Sequence, residues 1–216
     1  AGALRPLVRA RWRRSQRAAA QPSPEVQLTL LSLRSGERAR VEKALGRVDE
    51  LTLYRAQLEL DPVKREVSGK VFLNWVARKA AASELYLRVN ANQQAGRVKL
   101  SHALVNGRPA VLDQPEPTLF RVKLDPAAEP GTGADVELRL WATVPPAMHD
   151  SDALSLTKLS DSRGHDYGAY SAAPEIVSLT GLLPGLSPVT AEGEPAQGPS
   201  GIGDLGDFAP AHWLVN

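Results

Sequence analysis

From Leu51 to about Val144 the side chains alternate between apolar and polar, residue by residue. A period of two puts one set of side chains on a buried sheet face and the other in solvent. A helix would need spacings of three and four, so this half of the chain is committed to strands. Tyr54, Ala56, Leu58 and Leu60 alternate with Arg55, Gln57, Glu59 and Asp61. Asp61-Pro62 is a turn signal. Val67, Gly69, Val71, Leu73 and Trp75 form a second face, and Leu85, Leu87 and Val89 a third. Val98 and Leu100 open a fourth strand, which runs to Asn106-Gly107. That dipeptide favours positive φ at both central turn positions and is a strong hairpin signal. A return strand is expected from Ala110 and Leu112, and another over Leu119–Leu124. A Pro- and Gly-rich loop is expected over Pro126–Gly133, followed by a strand carrying Val136, Leu138, Leu140 and Ala142 inward. Closely spaced strands with turn signals and no intervening helix predict a mainly β fold. The form expected is an antiparallel β-sandwich or saddle-shaped sheet with an N-terminal helical segment.

The flanks differ. Residues 1–22 hold Arg5, Arg9, Arg11, Arg13, Arg14 and Arg17 and no acid, leaving 20 basic against 24 acidic residues in the remaining chain. The net charge of +2 therefore belongs to one short arm, and the body is mildly acidic. Nucleic-acid binding by the body is disfavoured, because phosphates need a basic face on the fold itself. Leu4, Leu7, Val8, Arg11 and Trp12 can share a helical face in this arm, with Arg on the other. One short basic stretch binds anionic lipid only marginally. A solvated linker or a helix against a neighbouring domain is therefore preferred to membrane contact. Ser23-Pro24-Glu25 has a helix-start pattern; Val26, Leu28, Leu30, Leu31 and Leu33 then fit either helix or strand, Gly36 interrupts the run, and Val41, Leu45 and Val48 fall at helical spacing, so 23–50 is read as a helical segment. Residues 51–216 are read as the β domain. After Pro145-Pro146 the pattern weakens. One or two short strands are expected within Tyr167–Leu179, a long loop over Thr190–Gly206, and a last strand over Phe208–Val215.

Chemistry-bearing residues are sparse. With no cysteine, disulfides, thiol nucleophiles and Cys-ligated zinc are excluded. No His-Glu-x-x-His pair, Gly-x-Ser-x-Gly elbow or phosphate-binding Gly-rich loop occurs; Gly201-Ile202-Gly203 lies in a loop without the strand–turn–helix context such a cradle needs. His149, Asp150 and Asp152 with Asp161, His165 and Asp166 have metal-ligating side chains, but nothing in their spacing fixes a distance, and solvated loops are the preferred reading. Ser178 and Ser187 have no base identifiable from spacing. Trp75, Trp141 and Phe120 are expected as core or sheet-face residues rather than a ligand platform. His102 and His212 complete the histidines. No catalytic, cofactor-binding or metal residue is assigned.

The order of segments resembles the N-terminal β domain of the aminopeptidase-N family of zinc metallopeptidases. Tyr54-Arg55-Ala56-Gln57-Leu58-Glu59-Leu60-Asp61 precedes Val67-Ser68-Gly69-Lys70-Val71. Leu85-Tyr86-Leu87, Val105-Asn106-Gly107, Leu119–Leu124, Gly131–Gly133 and Val136–Leu140 follow in the family's order. Tyr167-Gly168-Ala169-Tyr170, Ile176-Val177-Ser178-Leu179, Leu183-Pro184, Gly203-Asp204 and Phe208 to Val215 then resemble a bacterial branch. Leu183 departs from the aromatic residue usual before Pro184, and Pro210 interrupts the last strand. The resemblance implies a domain with no catalytic residue of its own. Its role would be to scaffold a following zinc-peptidase-like domain, wall that domain's cleft, and leave zinc to it. The parent is then a metallopeptidase or a degenerate relative. The alternative expectation is a free-standing β-sandwich binding module, or an assembly component of a bacterial envelope complex. The compartment stays open, with the bacterial periplasm or envelope slightly favoured over the cytoplasm. The chain opens on Ala1 and its last strand begins close to Asn216, so it is expected to be part of a longer protein, truncated at the C-terminal end of the β domain.

Overall fold

A computed structural model of the chain describes residues 36–45, 52–77, 81–94, 97–147, 170–187, 195 and 211–216. Two compact units divide it: 1–52 with Pro210–His212, and 53–209 with Trp213–Asn216. In the first, helix α1 (Glu37–Leu45) follows Gly36, whose φ is +84°. Glu37 lies in its first turn and Lys43 in its last, each on the side the helix dipole favours. The expected basic arm 1–22 and the Ser23-Pro24 helix start lie outside the described residues.

Among the described residues, the strands of the second unit form two larger sheets and one separate hairpin; Thr52 and Ala211–His212, at the ends of two strands, fall in the first unit. The larger contains β1 (Thr52–Asp61), β2 (Glu66–Val76), β4 (Val98–Val105), β5 (Arg108–Pro109), β8 (Gly133–Thr143) and β12 (Ala211–Val215), in the order β12-β1-β2-β8-β4-β5. The smaller contains β3 (Ala82–Arg88), β6 (Leu112–Glu116), β7 (Leu119–Ala128) and β11 (Gly185–Leu186), in the order β11-β3-β7-β6. A hairpin of β9 (Tyr170–Ala172) and β10 (Val177–Leu179) is separate, and Ala172 bridges to Pro146. The mainly β, antiparallel expectation is met.

Register explains the core. Tyr54 faces Leu73, Ala56 faces Val71, and Leu58 faces Gly69. On the next strand pair, Leu73 faces Val136, Val71 faces Leu138 and Gly69 faces Leu140. These rows form one apolar face, as the alternation requires. In the smaller sheet Leu85 faces Val122 and Leu87 faces Phe120, and all four are buried. Gly69 is needed where it stands: a Cβ there would lie 2.0 Å from the Gln57 carbonyl oxygen. Asn92 is fully buried in the 3-10 turn Asn90–Gln94, where its amide donates to Val98 O (2.8 Å) and accepts from Val98 N (2.7 Å). That pair supplies backbone partners at the entry to β4, which a buried strand end needs.

Three expectations are corrected. First, the return from the Asn106-Gly107 turn is only Arg108–Pro109. The chain then changes sheet, and Leu112–Glu116 pairs with β7 in the other one. Second, β7 does not stop at Leu124 but continues through Pro126 to Ala128. Pairing jumps there from Glu84–Lys123 to Ala82–Ala128, so the proline falls where the ladder is interrupted and its missing N–H costs no ladder bond. Within the antiparallel fold one further pairing is parallel: Asn216 N donates to Ala56 O and Asn216 O accepts from Leu58 N, both at 2.9 Å. Third, the inward phase of β1 is not buried to its end: Tyr54 and Ala56 are buried, Leu58 is half-buried and Leu60 is exposed. The Asn106-Gly107 turn is as expected, with φ of 51° and 80°.

Candidate functional surface

Most residues singled out from the sequence do not converge. His149, Asp150, Asp152, Asp161, His165, Asp166 and Gly201–Gly203 lie outside the described residues. Among the described residues, no group of three or more acidic or histidine side chains is placed to hold a metal ion. Ser187 is buried, with its N–H donated to Tyr86 O (2.9 Å). Ser178 pairs with Ser171 in the small hairpin. His102 is exposed on β4, its Nδ1 3.1 Å from Ser101 Oγ. Phe120 is core, Trp75 is half-buried, and Trp141 lies on the outward face of the large sheet with Lys99 Nζ 5.3 Å from its ring centroid.

One surface does assemble. β1 begins in the core, with Tyr54 and Ala56 buried, and emerges along the same face through half-buried Leu58 to Leu60, 44% exposed. The parallel pairing of Asn216 around Gln57 sets Trp213 beside Tyr54 and Val215 beside Ala56. The two rings accordingly stack, with centroids 3.9 Å apart and planes 10° from parallel. Trp213 stays 41% and Val215 54% exposed. Leu60 along β1, and Trp213 and Val215 on β12, are thus apolar residues of the inner face that stay exposed. Exposed apolar side chains that extend a buried face, as Trp213 and Val215 do here, suit contact with another polypeptide. The residues had been expected as ordinary strand positions. Their clustering needed the β1–β12 register, which alternation alone does not supply.

The outward face of the small sheet carries a closed ionic ladder. Arg121 on β7 forks onto Asp113 of β6, Nε to Oδ1 at 3.0 Å and Nη2 to Oδ2 at 2.6 Å, and its Nη1 is 3.4 Å from Glu84 Oε1 of β3. Tyr86 donates its hydroxyl to Glu84 Oε2 at 2.5 Å. The hydrogen bonds from Arg121 hold the Asp113 carboxyl below the usual carboxylate range. The bond to Glu84 raises the Tyr86 phenol. Both shifts move away from neutrality, the reverse of what a general acid or base at pH 7 requires. The ladder is cross-strand adhesion, visible in the sequence only as opposite charges on the polar phase of facing strands.

Arg88 ends β3 with its side chain 3% exposed. Its Nη1 donates to Thr118 Oγ1 at 2.8 Å and lies 3.5 Å from Glu116 Oε2. A buried guanidinium must be paired to be tolerated. Here it ties β3 to the turn between β6 and β7.

No family model and no curated protein matches the sequence. Solved structures overlap it in part. A mutant M1 zinc metallopeptidase from Deinococcus radiodurans bound to a Tyr-Ser-Ala substrate is 21% identical, covering 62% of this chain and 28% of that one at a TM-score of 0.42. The M1 zinc metallopeptidase from the same organism is 22% identical over 46% of this chain and 22% of that one, at 0.37. Native yeast LTA4 hydrolase is 14% identical over 43% and 14%, at 0.32. The chain spans less than a third of the length of any of these three.

Proposed function

We propose that the chain is a non-catalytic N-terminal β domain of an aminopeptidase-N-like zinc metallopeptidase, or of a degenerate relative, and that it scaffolds and walls the cleft of a following zinc-peptidase-like domain. The observation that carries the reading is the open end of the inner sheet face, where Leu60, Trp213 and Val215 offer apolar side chains to solvent. Burying apolar area is worth roughly 25 cal/mol per Å², so covering large side chains of this kind supports stable docking. The order of the family-like segments agrees with it: Tyr54–Asp61 and Val67–Val71 pair as β1 and β2, Gly69 meets a backbone that only glycine admits, and Asn106-Gly107 closes a hairpin. Zinc, on this reading, is held by the following domain, and no step of peptide hydrolysis is assigned to residues of this chain.

The second reading is a free-standing β-sandwich that uses the same apolar surface for a separate partner protein in a bacterial envelope. The Arg-rich arm of residues 1–22 favours it as a second attachment point.

Hydrogen exchange separates the two. Amides of Leu58–Asp61 and Trp213–Asn216 are followed in the 216-residue chain and in the natural gene product read past Asn216. Docking by a following domain slows exchange there at least about tenfold, with the Arg121 ladder on the other sheet unchanged as control. Equal exchange in both proteins, or a downstream sequence with no His-Glu-x-x-His region or recognisable remnant of one, overturns the metallopeptidase reading.

A further inference from the structure

We draw no further inference here: the strongest candidate, the outward-facing pair of Trp141 and Lys99 on the six-stranded sheet, is an open sheet face, and nothing in the structure shows what covers it.

Discussion

The Tyr54 hydroxyl oxygen accepts the backbone N–H of Leu186 at 2.7 Å, a hydrogen bond through the core that joins β1 of the large sheet to β11 of the small one. Tyr54→Phe keeps the ring and its stacking on Trp213 but leaves that amide buried without its acceptor. A stranded buried donor costs about 1–3 kcal/mol. Thermal melting of the variant is expected to fall accordingly, by several degrees. Burial holds the Tyr54 phenol well above its ordinary value. A raised folded pKa means a contribution fully present below the unfolded value near 10 and lost as pH rises towards the folded one. Wild-type stability should therefore decline in alkali more steeply than that of Tyr54→Phe. Parallel alkaline limbs would show that the phenol is not shielded as described.

Gly69 and Gly107 make opposite demands, and their alanine variants should differ. At Gly69 the added Cβ would meet Gln57 O at 2.0 Å and Leu58 Cα at 3.0 Å, all backbone that cannot rotate away. At Gly107 the space is open and only the φ of +80° resists a side chain. Gly107→Ala should cost about 1 kcal/mol. Gly69→Ala must separate β1 from β2 locally and should cost roughly 2–4 kcal/mol, in the range of severe core defects. Denaturant unfolding of both variants measures the difference; equal midpoints would refute the close approach.

His102 has a φ of +51° on β4, where pairing with β8 jumps from Ser101–Arg139 to Leu104–Glu137. The extra residue switches the inward phase from Val98 and Leu100 to Ala103 and Val105, all four buried. A left-handed backbone suits glycine and penalises β-branched side chains. His102→Gly should hold or raise stability by up to about 1 kcal/mol, while His102→Val should lower it by about 1 kcal/mol or more. Chemical denaturation of the pair decides it, and a valine variant as stable as the glycine one would rule out the bulge.

That bulge also marks where the sequence stops being legible. Sheet faces were readable wherever alternation ran unbroken, as from Val136 to Ala142, because a buried face forces period two. A one-residue insertion reverses the phase without any compositional sign, so Ala103 and Val105 could not be assigned with Val98. Strand β11 has two residues, too few for any period. It is recognised only through its bonds to β3, beginning with Gly185 opposite Arg88. Trp213 stacks on Tyr54, more than 150 residues earlier, and only the parallel register at Asn216 brings the two together. Pro126 misled in the other direction: a proline argues for a loop, but it is tolerated where a ladder is already broken.

The Asp113–Arg121 fork gives a pH signature with a defined sign. Asp113 titrates below the ordinary carboxylate range chiefly because Arg121 hydrogen-bonds its charged form, with further attraction from Arg121 and Lys123. Asp61 is lowered as well, first by the N–H of Lys64 and then by the Lys64 side chain. A depressed folded pKa contributes stability above the unfolded value of about 4, and that contribution is lost as pH falls through the folded one. Both groups therefore weaken the fold in acid. Carboxyl carbon titration by NMR should find both midpoints low in the wild type. Arg121→Gln should bring Asp113 back towards its ordinary value and leave Asp61 where it was, since the Asp61 shift comes from its own turn. Added salt should shrink the Asp113 shift, because the pair lies at the surface and is screened. An Asp113 midpoint at the free-aspartate value with Arg121 intact, or one that does not move in Arg121→Gln, would mean that the fork does not persist in solution and that the small sheet is held by its buried rows alone.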